Sequence, residues 1–321
     1  RFGVEEWLNV HEKSAIYDIA GVSIKALTME ELFDLSGLDK DDFFAQLLKK
    51  KMDYGWIEGS PDFKTQVASL YKNMPVDNIL QTNGATGATM LALYALIEPE
   101  DHVISMYPTY QQLYDIPKSL GADVDLWEVE EDKGWLPDLD QLRRLIRPNT
   151  KMICINNANN PTGALMDAAY LEELVAIAKE VDAYIFSDEV YRSFDQPAPS
   201  IVDLYEKGIA VNSLSKTYSI TGWRLGYVIA PPEIADRVKK VHDFLTVGAA
   251  APLQEAVTSA LRFDQSYYDE VLALYTRKRD LFCKGLDEIG LVHNTPEGAY
   301  YVLMDISEFG YESDLEFCED L

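Results

Sequence analysis

From residue 80 to residue 229 the sequence alternates short apolar runs with amphipathic stretches, and few architectures accept that order. The runs at 102–105, 123–129, 151–155 and 183–187 are too short for helices, and they read as buried strands. Helical spacing fills the gaps at 88–97, 111–120, 139–146 and 168–179. A last pair of runs, 209–212 and 225–229, closes the series. Apolar strands separated by helices predict an α/β fold with a largely parallel sheet covered on both faces. Such sheets hold ligands beyond the carboxyl ends of their strands, so the residues that follow each run come first in a search for chemistry.

The flanks are less regular. Residues 1–40 are mixed, with Trp7, Ile16, Tyr17 and Ile19 as scattered anchors and a helical signal at 28–32, and they read as an N-terminal arm. Residues 41–51 predict an amphipathic helix, and Ser60-Pro61-Asp62 caps another that runs to about Tyr71. Beyond the sheet, helices are expected at 232–244, 252–261 and 266–289, then a strand at 299–304 and a helix from about Asp314. No internal repeat interrupts this order.

Charge and cysteine content narrow the setting. The 321 residues carry 54 acids against 28 bases, a formal charge of −26, which argues against nucleic acid or an anionic membrane surface as partner. Cys154, Cys283 and Cys318 are far apart and form no C-x-x-C pair, so neither a disulfide framework nor a metal site is expected. With no basic leader and no apolar run of about 18 residues, a cytoplasmic protein is expected. The start at Arg1 leaves an upstream piece open.

Lys216 stands just after the run 209–212, between Ser215 and Thr217. A buried ammonium is costly unless it is paired or neutral. Either this side chain snorkels to water, or its nitrogen is held as an imine by a carbonyl cofactor. Arg224, eight residues on, is a fixed cation suited to a phosphate. Asp188 ends the run 183–187 and either caps the next turn or opposes a buried cation; Glu189 competes with it. Tyr191 is either a packed aromatic or a donor. Asn160, in N-P-T-G, lies in an ordinary turn sequence placed between a strand and a helix. Asn83-Gly84-Ala85-Thr86-Gly87 opens a helix and offers free backbone N–H groups to an anion, with Ser213 and Ser215 nearby in sequence to Arg224.

Six motifs follow one another: N-G-A-T-G, Y-P-x-Y, N-P-T-G, D-E-V-Y, S-x-S-K and G-W-R-x-G. In this order they resemble the pyridoxal-phosphate (PLP) enzymes of fold type I, the aminotransferase class I/II family, over residues from about 53 to 301. The resemblance implies a large domain with a mostly parallel, seven-stranded-type sheet between helices, plus a smaller α/β domain made from both chain ends. Its expected boundaries are 1–40 for the arm and part of the small domain, 41–280 for the large domain, and 281–321 for the start of a C-terminal small domain that continues past Leu321.

The resemblance also assigns roles. It makes Lys216 the Schiff-base lysine, Asp188 the acid on the ring nitrogen, and Tyr191 and Asn160 the donors to the ring oxygen. Tyr107 would stack on the ring, while Ala85, Thr86, Ser213, Ser215 and Arg224 would take the phosphate. Tyr54 would reach the phosphate of a neighbouring subunit, which implies a homodimer. A carboxylate about 4 Å from a pyridinium is worth ~4 kcal/mol at an effective dielectric near 20, enough to keep the ring protonated. The implied reaction is transamination between an amino acid and a 2-oxo acid, with Lys216, Asp188 and Tyr191 as the catalytic set. The segment that grips the substrate carboxylate in the family is expected after Leu321. Two alternatives stay open: a PLP-dependent lyase or cyclase acting on a modified amino acid, towards which the stretch YQQLYDIPKSLGADV points, and a non-catalytic module of the same fold.

Overall fold

The computed structural model of the chain describes residues 3–16, 24–194, 198–248 and 251–321, so the expected anchors Tyr17 and Ile19 lie outside the described residues. Four helices lead in: α1 (Gly3–His11), α2 (Met29–Ser36), α3 (Lys40–Leu47) and α4 (Pro61–Ser69). Their starts follow cap chemistry. Thr28 forms a reciprocal capping box with Glu31, and the Asp39 and Ser60 side chains each accept from the backbone N–H three residues on. Helix α3 stops at Leu47, short of the expected 51. Ile16 is 90% exposed and anchors nothing, whereas Trp7 stacks on His11 one turn away.

The sheet and its helices then alternate as β1 (Ile79–Asn83), α5 (Gly84–Leu96), β2 (His102–Tyr107), α6 (Gln112–Ser119) and β3 (Asp123–Glu130). They continue through β4 (Leu136–Pro137), α7 (Leu139–Leu145), β5 (Thr150–Asn156), α8 (Ala168–Glu180) and β6 (Tyr184–Asp188). The series closes with α9 (Ile201–Leu204), β7 (Gly208–Ser213), α10 (Leu214–Thr217) and β8 (Leu225–Ile229). Four helices follow: α11 (Pro232–Thr246), α12 (Ala251–Ala260), α13 (Gln265–Glu288) and α14 (Asp314–Asp320).

The eight strands form one sheet in the order β1-β8-β7-β6-β5-β2-β3-β4. Seven are full strands and β4 is a two-residue edge piece. Strands β2, β3, β5, β6 and β7 pair in parallel, while β8 runs against both β1 and β7. The near-continuous apolar runs reflect burial on both faces. Val103, Met152, Phe186, Val211 and Val228 point to the core under α5, α6 and α11. Their neighbours Ile104, Ile153, Ile185 and Ala210 point to the other core, under α7, α8 and α9. A third cluster seats α2, α4 and α12 on β1 and β8 through Leu32, Phe63, Val67, Tyr227 and Val257.

Two expectations need correction. Helix α5 begins at Gly84, not near residue 88, so the glycine-rich segment is itself the first turn. The stretch 299–304 forms no strand: among the described residues it has one isolated bridge, His293 with Met304. Its aromatic residues instead turn inward. Tyr300 and Tyr301 pack with Ala299 against Tyr191 and Phe194, which gives a strand-like composition without a neighbouring strand.

Candidate active site

The topology gathers chemistry at one sheet edge. The carboxyl ends of β1, β5, β6 and β7 deliver Asn83, Asn156, Asp188 and Ser213 there. Because β8 is antiparallel, it is its beginning that reaches the same edge, with Leu225 opposite Asn83 and Gly226 opposite Ser213. Arg224, just before it, is thereby brought next to the start of α5. A cavity of about 480 Å³ opens at this edge. It is lined by Ala85, Thr86, Asn160, Asp188, Tyr191, Ser213, Ser215, Lys216 and Arg224, nine residues singled out in the sequence.

Lys216 sits in the four-residue helix α10, whose cap is Ser213: the Ser215 N–H donates to the Ser213 hydroxyl at 2.9 Å. Burial, and then the neighbouring Arg224 charge, bring the Lys216 ammonium down to about pH 8. Its Nζ lies 5.9 Å from the centre of the Tyr300 ring. Asp188 is 5% exposed, and its carboxylate accepts from the Val190 N–H at 3.1 Å. Burial pushes the acid up to about 7, since among the described residues no cation is paired with it. The Asp188 backbone carbonyl accepts from the Asn156 side-chain amide at 3.0 Å, and the Asn156 side-chain Oδ1 accepts from the Asn160 N–H at 2.6 Å. This pair ties the turn carrying Asn160 to the end of β6. Glu189 points away and accepts from the Ser200 hydroxyl and the Ile201 N–H, both at 2.9 Å, so it serves the turn before α9.

Tyr191 is buried, which holds its phenol well above the ordinary tyrosine range. Its hydroxyl lies 2.6 Å from that of Tyr301, which also lines the cavity. Tyr107 does not line the cavity. It ends β2, 38% exposed where the rest of the strand is buried, with its ring against Tyr114. The aromatic that lines the cavity from this motif is Tyr110, three residues later, whose hydroxyl bonds Thr86. Tyr54 is 82% exposed on the loop between α3 and α4 and takes no part in this chain's own cavity. Glu5, Thr89, Asn156, Thr221 and Tyr301 also line it and were not singled out. Asn156 sits one residue before the N-A-N-N-P-T-G turn and Tyr301 within G-A-Y-Y, so their signals were there to read; Glu5 had none.

The residues present fit pyridoxal phosphate. The Ser215 hydroxyl is buried and has no hydrogen-bond partner among the described residues, yet its residue lines the cavity. Gly84 has φ +72°, and a Cβ there would stand 2.6 Å from an Arg224 guanidinium nitrogen. A Cβ on Gly226 would stand 2.6 Å from the Gly84 carbonyl carbon and 2.7 Å from the Ala85 nitrogen. The two glycines let the start of α5, the β8 backbone and Arg224 close around a space suited to an anion. Opposite it, a buried carboxylate with no paired cation among the described residues suits a cationic ring nitrogen.

Comparison with known proteins agrees. The profile of the family described as Aminotransferase class I and II matches residues 39–321. The aspartate aminotransferase of Pyrococcus horikoshii is 33% identical over 312 residues, covering 90% of this chain and 80% of its own length. The aspartate/prephenate aminotransferase of Thermus thermophilus is 31% identical over 300 residues, covering 89% and 78%. A crystal structure of a PLP-dependent aminotransferase from Streptococcus suis superposes with a TM-score of 0.92 at 54% identity, over 100% of this chain and 86% of that one. Nothing among these relatives favours the lyase, cyclase or non-catalytic alternatives.

Proposed function

The chain belongs to the aminotransferase class I and II family, enzymes that use pyridoxal phosphate, and from that premise we propose how its own residues divide the work of transamination. Lys216 would be the amine that holds the cofactor's aldehyde, and its nitrogen is the base placed to take the proton from the substrate Cα. Its lowered proton affinity supports this role, because an amine that is half neutral near pH 8 can act as nucleophile and base. Asp188 holds a positive charge on the ring nitrogen. Tyr191 and Asn160 donate to the ring oxygen, with Tyr301 orienting the Tyr191 hydroxyl. Ala85, Thr86, Ser213, Ser215 and Arg224 hold the phosphate at the start of α5. When bound, the cofactor supplies an electron-accepting ring that stabilises negative charge at the substrate Cα. Tyr110 takes the lining position expected of Tyr107.

The observation that carries this reading is that Lys216 and Asp188 face one cavity from adjacent strand ends with their proton affinities moved in opposite directions. The test is to mix the cofactor-loaded protein with single amino acids and no oxo-acid acceptor. Accumulation of the amine form of the cofactor with release of a 2-oxo acid is expected. Release of ammonia with the aldehyde form retained would overturn it.

We further propose a homodimer in which Tyr54 reaches the neighbouring site. Supporting it, the loop bearing Tyr54 adjoins the end of α11: Cβ positions built on Gly55 and Gly248 meet Ala251 and Ile57. Leu48, Met52 and Trp56, before and within that loop, and Phe244 and Leu245, at the end of α11, are all exposed, the kind of apolar surface a second copy can cover. The division into a large domain (41–280) and a small one from both chain ends belongs to the same proposal; Ile24 and Ala299, from the two ends, pack in one cluster with Ala158, Val190, Tyr191 and Phe194 of the large part. No helix among the described residues is long and apolar enough to cross a membrane; a cytoplasmic setting is part of the same proposal.

A further inference from the structure

Among the described residues, four charged side chains line the cavity: Asp188, Lys216, Arg224 and Glu5. The roles proposed above account for the first three, with Asp188 set against a ring cation, Lys216 on the aldehyde and Arg224 on the phosphate. Glu5 is left over. It stands in the first turn of α1, half-buried, and among the described residues it is paired with no cation. Its charge is close enough to be felt by both Tyr110 and Lys216, whose proton affinities it raises. Tyr110 and Tyr301 line the same space. A carboxylate beside aromatic faces is the lining that recognises an organic cation, through a charge-assisted hydrogen bond and ring quadrupoles.

We propose that Glu5 is a specificity-determining residue that selects amino-acid substrates with a cationic side chain, an amine or a guanidinium, and rejects dicarboxylic ones. A second carboxylate on the substrate would meet Glu5 in a cavity whose two lining cations already have partners. The preference of this chain therefore departs from that of the relatives named as aspartate aminotransferases. This inference rests on the transamination reading, and its test separates the two.

The cofactor-loaded protein is given ornithine, arginine, the neutral isostere norleucine, and glutamate, each alone. The wild type is expected to favour ornithine or arginine over norleucine in kcat/KM by on the order of 10- to 100-fold, with glutamate last. Glu5→Gln should lower the ornithine-to-norleucine ratio by a similar factor, chiefly through KM, and Glu5→Lys should move glutamate ahead of norleucine. Calorimetry with the unreactive δ-guanidinovalerate against valerate gives a second readout, in which the wild type binds the guanidinium compound more tightly and Glu5→Gln does not. A wild-type preference for glutamate over norleucine would overturn the proposal, as would a Glu5→Gln variant that slows every amino acid alike or leaves the ratio unchanged. If no amino acid converts the cofactor, the transamination reading falls, while calorimetry still decides for or against Glu5.

Discussion

Asp188 and Lys216 are disturbed in opposite directions by one cause, burial beside the same cavity. The consequence for Asp188 can be measured without any substrate. Its folded-state pKa of about 7 lies above the ordinary 3.8, so between those values the native protein binds the extra proton. Stability of the cofactor-free protein therefore falls as pH rises through that window, by up to a few kcal/mol, and the loss is complete above pH 7. Asp188→Asn should flatten this slope and leave the cofactor-free variant more stable than wild type at pH 8, with transamination down by about 10²-fold or more. Thermal melts at pH 5 and 8 check it; an unchanged slope would remove Asp188 as the source. Lys216 acts in a separate window, between about 8 and 10.5, where stability rises with pH because the unfolded chain keeps its proton longer. At this scale the sequence pattern told much. It ranked Asp188 above Glu189 by motif, and the structure supplies the reason, since Glu189 is committed to Ser200 and Ile201. It named Tyr107 where Tyr110 lines the cavity, because both belong to one short motif and nothing in the sequence says which of the two faces inward.

In the proposed site, helix α5 turns backbone into a binding group. Its first turn lies against β8 because Gly226 has no side chain to hold it off. Gly226→Ala would drive a methyl to within 2.7 Å of Ala85 nitrogen, so the helix start must shift or the strand must bend. The expected cost is about 1–3 kcal/mol of stability. Affinity for pyridoxal phosphate should drop more than affinity for pyridoxal, which lacks the phosphate, in parallel titrations; equal losses would mean that the start of α5 does not serve the phosphate. Arg224 reaches the same place from a left-handed turn at φ +55°, just before β8. The strands β2, β3, β5, β6, β7 and β8 and the longer helices between them were legible because their apolar runs are buried on both faces, whereas β1, β4, α9 and α10 were not read. The antiparallel course of β8, which puts Arg224 at the edge, has no local signal, and neither does the inward packing of Tyr300 and Tyr301 that mimics a strand.

At the scale of the whole molecule, the proposed dimer joins the exposed apolar residues near Tyr54 to the holding of the cofactor. Phe244 is 92% exposed there. Phe244→Glu should shift the molecule from dimer to monomer in sedimentation runs and weaken cofactor retention at the same time. A monomeric wild type would remove the shared site. Tyr54→Phe should keep the dimer and weaken only the cofactor. Loops and quaternary contacts of this kind are poorly legible in one sequence, since an exposed tyrosine such as Tyr54 reads equally as a packed core residue. The measurement that bears most directly on the account is mass spectrometry of the chain after borohydride reduction in the presence of pyridoxal phosphate. The account predicts one reduced cofactor per chain, on the peptide containing Lys216, and none on a Lys216→Ala chain. An adduct on another lysine, or an unmodified chain, would contradict it.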